Sequence, residues 1–164
     1  MAALSRLAAR LAPFGAAAAA GLLFVAAGGA AQTQTFTATY SGTASGYVSG
    51  DQAFGTGTMT GRGRLIGRST LKGFGAGNLT SSGCATFGGR VTLRGARGSL
   101  GLKMHSAQAC PGDSAADTVS FHGRARVVGG TKAFAGAGGA LRFTGTYTRS
   151  TGAVSVSLRG RISY

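Results

Sequence analysis

Regular alternation of apolar and polar residues is the feature that most constrains what this chain can fold into. Between residues 118 and 128 the odd positions are Val119, Phe121, Gly123, Ala125 and Val127, while the even ones are Ser120, His122, Arg124 and Arg126. Leu141, Phe143 and Tyr147 alternate with Arg142, Thr144, Thr146 and Thr148. At the C-terminus Val154, Val156, Leu158, Ile162 and Tyr164 alternate with Ser155, Ser157, Arg159, Arg161 and Ser163. A period of two puts successive side chains on opposite faces of a strand, so each run has one dry and one wet face. No helical stripe of comparable quality follows residue 31. Composition agrees, with 31 glycines, much threonine and serine, and no glutamate, a mixture that disfavours helix.

Roughly eight or nine such runs follow one another at short spacing, with glycine-containing turns between them. This predicts an all-β fold: a small antiparallel β-barrel of eight strands, up to nine, with a two-sheet β-sandwich as the alternative. Gly61, Gly63, Gly67, Gly123, Gly145 and Gly160 recur on the apolar phase. Glycine there relieves crowding where a sheet curls, which favours the barrel.

Residues 1–31 read as a secretory signal peptide. Arg6 and Arg10 precede an uncharged run from Leu11 to Ala27, and Gly29 and Ala31 provide the small residues a signal peptidase needs. Cleavage would leave Gln32 first; an uncleaved anchor is the alternative, although the run is short for a span. The exported part, residues 32–164, is expected to be a single domain. Residues 32–55 are rich in Thr, Ser and Gly, with Phe36, Tyr40 and Tyr47 as apolar markers, and form either first strands or a flexible arm before the barrel body at 56–164. The Ala-, Gly- and Arg-rich composition points to a bacterial protein, periplasmic or extracellular; there the Asn78-Leu79-Thr80 sequon would be idle.

Export into an oxidising compartment makes the two cysteines a disulfide pair. If residues 90–94 and 99–105 form a hairpin, facing residues have numbers summing to about 193 or 194, and Cys84 with Cys110 sums to 194. The two sums conflict slightly. The hydrophobic pattern (Val91 and Leu93 with Leu100 and Leu102) requires 193, and a bulged turn at Gly98 would give 194.

The sharpest local motif runs from Val127 to Gly139: a strand end, a glycine turn, an aromatic residue and a second glycine-lined strand. Phe134 is its one bulky apolar side chain past the valines and is expected to fold over an end of the core. Gly129, Gly130, Thr131, Phe134, Ala137 and Gly139 resemble the glycine-rich signature of dirigent proteins and allene oxide cyclase-like barrels; Lys132 and Gly138 depart from it. The resemblance implies an eight-stranded barrel with an apolar interior, and assigns no catalytic residue here.

Acid–base chemistry needs a positioned pair of titratable groups. The candidates are few: Asp51, Asp113, Asp117, His105 and His122. Asp113 and Asp117 fall in or beside a turn-rich loop and the histidines on the polar phase, so all read as loop or surface residues. No metal set, nucleotide loop or cofactor motif is present. The basic side is richer. Removing Arg6 and Arg10 from 17 Lys and Arg leaves 15, against three aspartates, so the exported part carries about +12. Arg62, Arg64, Arg94, Lys103, Arg124, Arg126, Arg142, Arg159 and Arg161 all fall on the polar phase. They read either as charge for solubility or as a surface for an anionic envelope component. Nucleic acid fits less well, because the aromatics lie mostly on the opposite phase.

The function expected is therefore a non-enzymatic exported barrel that binds a small apolar ligand in its lumen or an anionic envelope polymer on its outside. The alternative is a dirigent- or cyclase-like barrel acting on a small apolar compound. An interior of about 300 Å³ or more keeps the ligand readings in play.

Overall fold

The computed structural model describes residues 32–111 and 117–164. The signal segment at 1–31 and Asp113 lie outside the described residues. Eight strands follow in order: β1 (Thr33–Ser49), β2 (Gln52–Gly63), β3 (Gly67–Leu79), β4 (Ala85–Gly95), β5 (Gly98–Pro111), β6 (Thr118–Gly130), β7 (Gly138–Thr148) and β8 (Ala153–Ser163). Each pairs antiparallel with the next, and β8 returns to pair with β1, closing a barrel. The eight-stranded barrel is the fold; the sandwich is not. Residues 33–49 form β1 of the barrel wall, and the boundary drawn at residue 55 falls inside β2.

The alternation maps directly onto the wall. Phe36, Ala38 and Tyr40 of β1, Leu141 and Phe143 of β7, and Val154, Val156, Leu158 and Ile162 of β8 point inward and are buried. Up-and-down connectivity puts the β1–β2, β3–β4 and β7–β8 connections, with the end of β5 and the start of β6, at one end, here called the mouth. The β2–β3, β4–β5 and β6–β7 connections and the outer ends of β1 and β8 lie at the opposite, closed end.

The closed end is packed solid. Phe36, Ile66, Leu93, Leu100, Phe134 and Ile162 are essentially inaccessible to solvent, and burying each such side chain contributes about 1.5–3 kcal/mol. Phe134 sits in a 3₁₀ turn, Lys132–Phe134, between β6 and β7. Its ring meets Tyr164 edge-on at 5.1 Å, and the Arg97 guanidinium lies 5.9 Å above its centroid. The turn is pinned by Thr131, whose backbone N–H donates to the Ser99 carbonyl and whose hydroxyl accepts from the Ser99 backbone N–H at 3.1 Å. Gly130 has no room for a side chain: a Cβ there would lie 2.5 Å from the carbonyl oxygens of Ser99 and Phe134.

Two consecutive buried residues, Leu65 and Ile66, fold over the same end from the β2–β3 turn. The turn closes through Gly67, whose φ of +74° suits glycine. Arg97 braces it by donating from Nη1 to the Leu65 carbonyl at 2.8 Å. Arg64, expected on the polar phase of a strand, instead lies in this turn beyond the end of β2, because the chain must leave the strand to bury Leu65 and Ile66. Deeper in the core, the Tyr40 hydroxyl and Ser69 Oγ are 2.8 Å apart, satisfying both buried groups. Burial pushes the Tyr40 phenol up, with the Ser69 bond opposing.

Both register sums for the central hairpin occur. Val91 faces Leu102 and Leu93 faces Leu100, with Ala96-Arg97 as a two-residue turn. Between Gly89 and Phe87 the register shifts by one, so that Phe87 faces Ala107 and Ala85 faces Ala109. The extra residue lies in β5 at His105–Ser106, where Ser106 adopts φ +51°.

Candidate functional site

Toward the mouth the inward positions become small, and the lumen opens. Ala44, Gly55, Gly57, Gly73, Gly75 and Ala85 take places that larger residues fill at the closed end. The result is a cup of about 580 Å³, inside the range of small-molecule sites. Its floor is Met59, Leu71, Val91, Leu102, Ala125 and Leu158. Phe87, Phe121 and Phe143 form an aromatic wall, the Phe143 ring centroid lying 6.3 Å from that of Phe87 and 6.4 Å from that of Phe121. Glycine serves two purposes here. At Gly145 a side chain would strike the Phe121 ring, so its absence lets that ring lie against the strand. At Gly55 the nearest atom to an added Cβ is the Ser45 carbonyl oxygen at 3.7 Å, so its absence simply leaves volume.

The mouth is apolar on one side. Tyr47 and Phe54 stack at 5.0 Å on the outer face of the β1–β2 hairpin. Tyr47 is 65% exposed, Val48 60% and Phe74 55%. Tyr47 was expected as an apolar marker, and it does pack on an aromatic ring, but outside the barrel. Tyr147 and Arg149 bring polar groups to the opposite rim.

Cys84 and Cys110 are bonded at this end, with Cα atoms 4.2 Å apart. Asp117 fastens another part of the mouth. Its carboxylate accepts from the Ser150 backbone N–H at 2.7 Å and from the Ser150 hydroxyl at 2.5 Å. These two bonds, hydroxyl first, hold its acid form below the usual carboxylate range. Asp51 is exposed in the β1–β2 turn. His105 and His122 are exposed on neighbouring strands, facing Arg124 and Gln108 respectively. Among the described residues no group of three or more His, Cys, Asp or Glu is placed to hold a metal ion. No helix among them is long and apolar enough to cross a membrane.

The basic side chains lie on the outside of the wall, concentrated toward the closed half. Register joins several of them. Arg124 of β6 faces Arg142 of β7, and Arg142 faces Arg159 of β8. Lys103 faces Arg126 on one side and Arg90 on the other. Arg62 faces Arg68, and Arg94 shares an outer groove with them. Arg161 faces Ala140 and Thr35, beside the Arg142–Arg159 pair. Arg62, Arg68 and Arg94 form a separate group from the β6–β8 arginines, across the hydroxyl-rich face of β1. Arg90 and Arg68 were missed as partners because only register reveals them. The motif residues Gly129, Gly130, Thr131, Phe134, Ala137 and Gly139 build the closed end. Compared with protein-family models, curated proteins and solved structures, the chain matches none.

Proposed function

We propose that this chain is an exported, non-enzymatic barrel that holds a small apolar molecule in its cup. The observation that carries this reading is a cavity of about 580 Å³ lined by small and aromatic residues and open at one end. A barrel of this size can fill its interior with side chains; here one half is filled and the other is kept clear by glycine and alanine. The exposed Tyr47, Val48 and Phe74 extend the apolar surface beyond the rim and offer an apolar landing surface for a ligand that enters the cup. The disulfide and the Asp117 clamp keep the mouth in shape before any ligand arrives, which reduces the ordering cost of binding.

Uptake of the fluorescent apolar probe N-phenyl-1-naphthylamine tests the reading. One probe should bind per chain, and Gly55→Leu should abolish binding while leaving the circular dichroism unchanged. Undiminished binding by that variant, or none by the parent chain, rules the cup out. A stereochemical guide, the activity implied by resemblance to dirigent proteins, would use the same cup. It would show itself as a changed product ratio from a reactive apolar precursor.

A further inference from the structure

We propose that the outer row His105–Arg124–Arg142–Arg159 is a track for a linear acidic polysaccharide, one that carries a carboxylate on each sugar. This is a second site, independent of the cup.

The first argument is register. His105 faces Arg124, Arg124 faces Arg142 and Arg142 faces Arg159, on four successive strands. Neighbouring strands lie about 4.7–4.9 Å apart, so Arg124, Arg142 and Arg159 make a ladder of cations at near-constant spacing, comparable to the length of a sugar ring, with the His105 ring at its end. Lys103 and Arg126, facing each other one step toward the closed end, thicken it. Like charges directly opposite on adjacent strands destabilise a sheet. The fold has no need of them: the equivalent outward places nearer the mouth are filled by Thr144, Ser157 and Thr39. Nor do the described aspartates compensate, since Asp51 and Asp117 stand at the mouth. An anion from outside would reverse the repulsion. Arginine, with its planar fork of donors, matches a carboxylate in two parallel hydrogen bonds.

The second argument is curvature. In a closed barrel of eight strands each step turns the wall by an eighth of a circle, so the row bends through three eighths. A flat lipid surface is tangent to such a wall and meets little of the row at once. A flexible chain can follow it.

The third argument is the company the row keeps. Beside it run His122–Thr144–Ser157–Thr39 and then Ser120–Thr146–Ser155–Ser41, with Thr146 and Ser155 hydroxyls 3.0 Å apart. These are hydroxyl rows suited to sugar hydroxyls. Nucleic-acid bases need aromatic platforms, and the outward rings, Tyr47, Phe54 and Phe74, belong to β1–β3 on another part of the wall.

Titration of the full exported chain with polygalacturonate tests the proposal. Binding should weaken linearly on a logarithmic salt scale. The triple variant Arg124→Gln, Arg142→Gln, Arg159→Gln should bind at least tenfold more weakly. A variant of equal charge, Arg62→Gln, Arg64→Gln, Arg68→Gln, should stay within about twofold of the parent. Equal losses from the two triple variants would overturn the proposal, since net charge alone would then explain binding. Binding of phosphatidylglycerol vesicles or oligo(dT) as tightly as polygalacturonate would also overturn it. Both triple variants should still take up the naphthylamine probe, which separates failure of the row from failure of the cup or the fold.

Discussion

Cys84 and Cys110 meet at the mouth because one extra residue is lodged in β5 between them and the hairpin turn. From Gly95 to Gly89 the hairpin follows one register, and past the bulge at His105–Ser106 it follows the next, which brings the cysteines opposite each other. Without the bulge, Cys84 would face the residue beside Cys110.

The bond closes a segment with a sequence separation of 26. By the chain-entropy model, replacing both cysteines with serine should lower stability by about 3 kcal/mol. Urea unfolding of the variant checks this, and the parent chain should show no free thiol to labelling without reductant.

Asp117 gives the mouth a pH dependence of known sign. Its acid form is held below the ordinary value by Ser150, so its contribution is fully present above about pH 4 and is lost as pH falls through the lower, folded value. Asp117→Asn should therefore be less stable than the parent at pH 6, and the gap should close toward pH 2. The chain has three acidic residues in all, so few other side chains mask the effect. The unfolding midpoint as a function of pH reads it directly.

Arg142 stands between two arginines, and removing it should strengthen the barrel. Arg142→Gln relieves two like-charge contacts, each in the range of roughly 0.2–1 kcal/mol for cross-strand pairs. Thermal unfolding at low salt should show a higher midpoint than the parent, and the difference should shrink at 1 M salt, where screening reaches about 3 Å. A lower midpoint at both salt levels would mean that the arginine stems contribute packing that outweighs the repulsion.

Much of this architecture was legible because a strand with one wet face announces which residues point in. The runs ending at Val127, Tyr147 and Tyr164 gave inside and outside correctly, and consecutive pairing followed from short turns. What escaped depended on single residues. Leu65 and Ile66 are both buried, which a period of two cannot produce, because they belong to a turn that folds over the core. Ser106 hosts a bulge with a positive φ that serine rarely takes, so the shift to 194 comes from β5 and not from the glycine-bulged turn expected at Gly98, while the hydrophobic pattern's sum of 193 holds at the turn itself. Phe74 and Tyr47 are apolar yet outward, so alternation offered no sign of the apolar rim. The glycines on the inner phase announced curvature. Whether the lumen was open depended on which of them faced other strands and which, like Gly55, faced empty space. The opposed arginines were visible as outward charges, but their pairing is a property of register, and register needs the closed ring.

The return of β8 to β1 makes that ring seven local hairpins and a single clasp. Thr33 faces Ser163, so the seam joins segments from opposite ends of the domain, while every other pairing forms between neighbours in the chain. Distant contacts are the slow ones to form. During synthesis β1 must wait, one edge unpaired, until the final strand exists. An exposed edge invites pairing with another chain. The waiting edge is dressed in Thr35, Thr37, Thr39 and Ser41, and the strand it awaits carries Arg159 and Arg161, whose charges repel their own copies. The seam is thus expected to be the last pairing to shut when the barrel refolds.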